Sequence, residues 1–328
     1  MNLIEYNHKD FLAYQQALLS QCLDLSPLYQ PLHLQYYQHY FKQEFVEGSF
    51  CLELGKKPLL LVMVTKGVEQ KISYYNLPIR LVWLNSISDK EKKGALKVVL
   101  KQFKAMQKGN NASLYYQEQI QGPLSDFSLS LLKDGYQAHH HLCQKIDLSL
   151  PLEQLMSNVR KIYRANIRWG QAKLTFKTLN QESCQQGDIE AFRQLHRQVS
   201  GVETRNQQSW QAQESMILAG QAFAIYGYLN DELVSAGFFI YNENECYYGV
   251  GAYQRELFDK PLSHVSVWQA IILAKQLGCC FFTMGDAVFP YSRTIEGNKL
   301  SEKELSISHF KQGFGGSLYS QLSLTPSL

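Results

Sequence analysis

The chain has 328 residues, 45% of them hydrophobic and 19% charged, and its 32 Lys and Arg against 29 Asp and Glu leave a net charge of +3. That length allows two domains or one large one, and the composition excludes a disordered or highly charged tail protein. So small a net charge does not by itself imply nucleic acid or membrane binding, so any basic footprint has to be a local patch.

Met1 to Gln21 carries Glu5 and Asp10 and no continuous apolar run, so no secretory signal is expected there. Hydrophobic periodicity then predicts a strand at 3–6, helices at 11–21 and 34–45, and strand-like runs at 49–54, 59–66, 72–75 and 79–85. The apolar run Pro58 to Val64 is far short of the ~20 residues that span a bilayer, and it reads as a buried strand. A long helix follows over 89–107, with Asp89 as N-cap and Gly109-Asn110-Asn111 as its stop; after it come a strand at 113–118, a helix at 124–133 and a strand at 136–148.

A linking helix is expected over 152–170, and beyond it the order repeats. The second half reads as a strand at 174–178, helices at 189–199 and 207–218, strands at 222–229, 233–241 and 245–252, a helix at 262–277, a strand at 279–284, a helix within 301–312 and a strand at 317–324. Asn230-Asp231 and Asn242-Glu243-Asn244 are the turns between the three consecutive strands. Both halves thus predict strand, two helices, three strands, helix, strand, helix, strand, a tandem duplication with domains at 1–150 and 151–328. Three hairpin-linked strands inside an alternating pattern cannot make a purely parallel sheet, so an α/β fold with a mixed sheet is expected. The order is that of the acetyltransferase fold called GNAT, whose fourth and fifth strands splay apart to admit an acyl donor and an amine.

Seven cysteines, at 22, 51, 143, 184, 246, 279 and 280, form no CxxC pair and no zinc spacing. Reduced thiols, a cytoplasmic location and no metal are the expectation. His139-His140-His141 does not change this, because neighbours on a strand point to alternate faces. The tyrosines and phenylalanine at 36, 37, 40 and 41 read as packing rather than base stacking.

The octapeptide His309-Phe-Lys-Gln-Gly-Phe-Gly-Gly316 resembles the closing signature of the FemAB family, tandem-GNAT proteins that include the peptidoglycan-bridge aminoacyltransferases. Ser157 to Arg168 resembles the basic helix that opens that family's second domain, and Gly201-Val-Glu-Thr-Arg205 with Trp210, Tyr247 to Tyr253, and Leu257 to His264 with Trp268 resemble its envelope-polysaccharide branch. The resemblance covers about 152–324 and reaches the first half only through element order. It implies transfer of an acyl or aminoacyl group to an amine without a covalent intermediate, which needs a proton route and donors aimed at a developing oxyanion.

On those terms the resemblance assigns Lys311 to the substrate phosphate or carbonyl, next to Phe310 as a substrate contact, with glycines 313, 315 and 316 permitting a ligand's close approach. Gly249 and Gly251 interrupt the fourth strand beside Tyr248, where a bulge would turn an N–H toward the donor carbonyl. Asp286, past the fifth strand, and His264, at the start of the following helix, are the candidate proton acceptors; turn-capping and packing are their structural alternatives. Glu203 and Arg205, near Trp210, occupy a loop expected over the acceptor groove or else pair with one another. Arg160, Arg164 and Arg168 are spaced four apart on one predicted helix face, the sharpest charge cluster, suited to a phosphate-bearing acceptor or to tRNA.

One departure bears on the donor. Acetyl-CoA enzymes of this fold cradle pyrophosphate on a glycine-rich loop at a helix N-terminus, and Gln254 to Ser263 has no glycine. Acyl-CoA and aminoacyl-tRNA both remain as donors. The expected function is an acyl- or aminoacyltransferase acting on an amine of a cell-envelope precursor, a muropeptide or a nucleotide-linked amino sugar. The alternative is a catalytically inert tandem GNAT that binds an envelope precursor, tRNA or a protein partner.

Overall fold

The computed structural model describes residues 1–67, 71–107, 113–257, 259–293 and 298–326. In chain order the first half carries β1 (Asn2–Glu5), α1 (Phe11–Leu19), α2 (Pro31–Phe41), β2 (Phe45–Glu47), β3 (Phe50–Leu54), β4 (Lys57–Met63), β5 (Thr65–Gly67), β6 (Ile72–Ser73), β7 (Arg80–Trp83), α3 (Asp89–Gln107), β8 (Tyr116–Gln119), α4 (Asp126–Lys133) and β9 (Gln137–Asp147). The second half carries α5 (Leu152–Asn158), α6 (Lys161–Lys173), β10 (Thr175–Leu179), α7 (Ile189–Ser200), α8 (Gln207–Leu218), β11 (Ala222–Leu229), β12 (Glu232–Tyr241), β13 (Glu245–Tyr253), α9 (Leu262–Gln276), β14 (Phe281–Ala287), α10 (Glu302–Gln312) and β15 (Ser317–Thr325).

Local chemistry explains most of these bounds. α3 begins where Ser88 and Glu91 bond reciprocally, the Ser88 hydroxyl donating to the carboxylate at 2.6 Å and accepting from the Glu91 N–H at 3.3 Å; Ser88, not Asp89, is therefore its cap. The expected stop at Gly109-Asn110-Asn111 lies outside the described residues. The linking helix predicted over 152–170 is broken in two. Val159 and Arg160 adopt extended backbone angles, and the Arg160 N–H donates to the Gly313 carbonyl at 2.9 Å instead of continuing the helix.

The chain divides into two compact units, residues 1–24, 41–141 and 320–328 in one and residues 25–40 and 142–319 in the other. These units partition the chain differently from the expected copies at 1–150 and 151–328. Residues 25–40 join the second unit, where the Ser26 hydroxyl donates to Glu245 at 2.7 Å, the Gln30 amide to the Tyr241 carbonyl at 3.1 Å and the Asn242 amide to the Leu25 carbonyl at 2.7 Å.

In the first unit an antiparallel sheet runs β1-β3-β4-β7, β2-β5-β6 forms a small sheet, and β8 pairs antiparallel with β15. Its core joins Leu52, Leu60 and Val62 to Val99 and Phe103 of α3 and to Phe127 and Leu131 of α4. Three histidines of β9 find three different partners in this unit: Thr325 for His139, Ser320 for His140 and Gln117 for His141.

In the second unit β10-β11-β12-β13 are antiparallel neighbours, β13 meets β14 in parallel, and β14 meets the 142–147 part of β9 antiparallel. Alternation along the strands sends Phe223 and Phe239 to the face packed by α9, with Val267 and Ile271, and sends Phe238 and Ile240 to the face that holds Phe192 and Met216 of α7 and α8. The parallel pairing of β13 with β14 lasts only from Glu245–Tyr247 to Phe281–Thr283. Beyond it the two strands separate, and the space between them belongs to side chains.

Candidate active site

The strand that leaves the pairing carries a bulge. Phe238 opposes Val250 and Phe239 opposes Tyr248, so Gly249 has no partner across the ladder, as a glycine at that place in a strand predicts. Beside it opens a cavity of about 830 Å³ lined by Tyr248, Gly249, Gly251 and Tyr253 of β13, by Asp259 to His264 at the start of α9, by Asn166 of α6 and by Ser306, Ile307, Phe310 and Lys311 of α10.

The tyrosines form one wall. Their hydroxyls lie 2.8 Å apart, directly over the Gly251 Cα: a Cβ there would collide with both. Gly251 is thus a packing requirement of the pair. Burial pushes the Tyr248 phenol up to about 12 and the Tyr253 phenol well above its ordinary value, so both stay protonated and can donate.

His264 lines the cavity at the start of α9. Its ring meets the edge of Tyr163 at 4.2 Å and lies 5.3 Å from Phe310, and its Nε2 is 3.3 Å from the Asn166 amide. Burial holds its pKa down at about 4, with the Pro261 carbonyl pulling weakly upward without reaching hydrogen-bond distance of Nδ1. The imidazole is neutral at ordinary pH.

Lys311 supplies the charge. Its Nζ lies 3.2 Å from where a Gly285 Cβ would stand, near the Tyr247 hydroxyl, and it makes no hydrogen bond or ion pair among the described residues. Burial lowers its pKa, while the Asp286 carboxylate works against that shift. Lys260, the other cation of the cavity wall, is already paired with Asp259 at 3.2 Å. Asp286 itself is exposed, stands inside β14 rather than beyond it, and is not part of the cavity lining.

The glycines after Lys311 serve the protein's own packing. A Cβ on Gly313 would penetrate the Tyr163 ring, one on Gly315 would come 2.8 Å from the Asn158 carbonyl oxygen, and one on Gly316 would strike the Lys145 carbonyl. Gly315 and Gly316 also have φ of 82° and 88°, the left-handed region other residues avoid. The close approach read from these glycines is made by Tyr163, Asn158 and Lys145.

The remaining sequence candidates lie elsewhere. Arg160 is not on the face of α6: its guanidinium donates to the His309 ring at 2.9 Å and carbonyl at 3.1 Å, because its backbone is drawn to Gly313. Arg164 and Arg168 do lie on α6, half-buried and exposed, away from the cavity lining. Glu203 and Arg205 do not pair with each other. Glu203 binds Arg193 at 2.6 Å, whereas Arg205 donates to the Tyr36 hydroxyl at 3.0 Å and to His196 at 3.1 Å and lies over the rings of Tyr40 and Trp210. Trp210 is a core residue packed on Phe192.

Sequence reasoning missed Asn166, Tyr253 and Ser306 as cavity residues. For Asn166 and Ser306 the only available signal was helical spacing, Asn166 three residues after Tyr163 and Ser306 four before Phe310. Phe258, in the quoted run Leu257 to His264, lies outside the described residues.

No protein-family model and no curated protein sequence matches the chain. Among solved structures it is similar to FemX, with a TM-score of 0.64 and 12% identity over 98% of this chain and 97% of that one. It is similar as well to the C-terminal domain of an Agrobacterium fabrum protein assigned as a lysylphosphatidylglycerol synthetase, with a TM-score of 0.59 and 12% identity over 97% and 93% of the two chains. The third is a tandem GNAT protein from the clavulanic acid biosynthesis pathway, with a TM-score of 0.54 and 10% identity over 100% and 99%. The chain has a FemAB-like tandem GNAT fold. In that fold the separation of β13 from β14 is the splay, and the cavity with Lys311 and His264 opens beside it. Among the described residues no helix is long and apolar enough to cross a membrane.

Proposed function

We propose that the protein transfers an acyl or aminoacyl group to an amine of a cell-envelope precursor, by direct attack in the β13–α9–α10 cavity. One observation carries the reading: the Lys311 ammonium, half-buried and without a hydrogen bond or ion pair among the described residues, feels the nearby Asp286 charge and stands beside a cavity whose other polar groups are neutral or paired. Such a group is suited to a carbonyl oxygen that becomes an oxyanion, because low polarity strengthens the interaction and no reorganisation is needed during the reaction. His264, unprotonated above about pH 4, is assigned as the proton acceptor, and the Tyr248–Tyr253 pair as the donor that orients the acyl group. Asp286, outside the wall, is assigned to holding the charge on Lys311. The solved structures of similar fold named for FemX and for lysylphosphatidylglycerol synthetase support an envelope acceptor.

The donor we favour is an aminoacyl ester, as on aminoacyl-tRNA, over an acyl-CoA. At the start of α9 the Leu262 N–H is spent on the Lys260 carbonyl at 2.9 Å and the His264 N–H on the Pro261 carbonyl at 3.3 Å, so two backbone donors that a pyrophosphate cradle would use are occupied. Arg164 and Arg168, which make no ion pair among the described residues, are assigned to phosphates of the acceptor or of tRNA. Incubating the protein with labelled aminoacyl-tRNA or acetyl-CoA, each with nucleotide-linked amino sugars and muropeptides, tests this. Label in the acceptor, lost in Lys311→Ala, is expected. Binding of an acceptor without transfer from either donor would overturn the reading in favour of a non-catalytic module.

A further inference from the structure

The cation of the cavity is held at both ends by one rung of the sheet. Gln144 of β9 and Gly285 of β14 are directly opposed partners, immediately after the irregularity that displaces Met284. Gln144 is 3% exposed. Its amide nitrogen donates to the Lys311 carbonyl at 3.2 Å and to the Gly315 carbonyl, so both of its N–H groups are used on the end of α10. Turning the amide over would set its oxygen against two carbonyl oxygens, which fixes its orientation. The amide oxygen is buried without a hydrogen-bond partner, a cost that a residue serving only to fill space would not impose. Across the rung, Gly285 offers no side chain, and the Lys311 Nζ rests over it.

We propose that Gln144 is the positioning residue for Lys311: it fixes the lysine backbone on the same rung whose glycine leaves room for the ammonium, and so holds that ammonium in the cavity. The inference rests on Lys311 being the reactive cation proposed above, but the placement it describes can be read without turnover. The titratable groups facing Lys311 are Asp286 of β14, Cys143 of β9 and Tyr247 of β13.

The test is trace acetylation of the intact protein with acetic anhydride across a pH series, following the Lys311 peptide by mass spectrometry. In the wild type, Lys311 is expected to reach half-maximal labelling at a lower pH than a lysine in an unstructured reference peptide. Gln144→Met keeps the volume and removes both donors; its Lys311 midpoint should move up toward the reference. Gln144→Leu, close in size, also lacks both donors, so its midpoint should move in the same direction, and it stands in if the Met variant does not fold. Where transfer is measured, kcat should fall about 100-fold, the usual cost of misplacing a group by an ångström, with KM little changed. A folded variant of either kind that keeps the wild-type midpoint overturns the assignment. A shifted midpoint in a protein that transfers nothing upholds it and removes only the proposed reaction.

Discussion

Lys311 and Arg205 make an instructive pair. Both are basic, both fall in stretches that resemble the same family, and both belong to the second unit. Arg205 spends its Nε and Nη1 donors on Tyr36, His196 and Thr204 and lies over two ring faces. Lys311 has its backbone secured and its ammonium left over. A charged side chain whose donors are engaged by the protein's own side chains and rings serves as scaffold here; one whose backbone is fixed while its ammonium has no hydrogen bond is the better site candidate. Motif resemblance does not separate the two cases, and an account of partners does.

The sharpest test of that contrast is to remove the scaffold. Trp210→Ala leaves a void beside Phe192 and should cost about 3–5 kcal/mol of stability, seen as a lowered denaturant midpoint, while any transfer measured well below the unfolding transition stays near wild type. Loss of turnover without loss of stability would place Trp210 on the substrate side instead. Lys311→Ala should do the reverse: a fall of about 10²–10³ in kcat, the scale for deleting one oxyanion donor, with a melting temperature close to wild type. Gly251→Ala probes the tyrosine wall of the cavity, since its methyl must drive Tyr248 and Tyr253 apart; about 1–3 kcal/mol of overpacking is expected, and crystallography of the variant would show whether the hydroxyl pair survives.

Acid gives a smaller, graded effect. Burial holds the pKa of His33 down at about 3 and those of His196 and His264 at about 4, against an ordinary 6.5. The fold therefore prefers these rings neutral. Their contribution is complete above about pH 6.5 and is lost as pH falls through the window toward 4 and then 3, by up to about 1.4 kcal/mol per pH unit for each ring. Thermal unfolding from pH 7 to pH 4 should show the decline, and His33→Leu should flatten it. Smallest of all, Arg164→Gln with Arg168→Gln should leave stability within about 0.5 kcal/mol yet weaken the salt dependence of tRNA binding; an unchanged salt slope would return that face to solvent.

Most of the elements were legible because their signals are local. α3 and α8 have the predicted bounds, 89–107 and 207–218, and so does β11, 222–229, each set by caps or periodicity within its own length. The break between α5 and α6 was not, because its cause is the carbonyl of Gly313, far along the chain. The helix expected over 34–45 begins and ends earlier, as α2 at Pro31–Phe41, and its tyrosines do pack; the place of residues 25–40 in the second unit depends on Glu245, Tyr241 and Asn242, which no local pattern encodes. The site was half legible. Lys311, His264, Tyr248, Gly249, Gly251 and Phe310 all line the cavity, whereas Glu203, Arg205 and Trp210 carried the same kind of signal and lie elsewhere, Glu203 paired with Arg193, Arg205 bonded to Tyr36 and His196, and Trp210 in the core; Gln144 carried none.

The division of the chain also governs how it can be made. A ribosome releases residues 1–24 of one unit, then 25–40 of the other, then returns to the first, and only residues 320–328 complete it. Neither unit is whole until nearly all of the chain has emerged, so strict domain-by-domain completion during synthesis does not match this division. A fragment cut near residue 150 would lack pieces of both units.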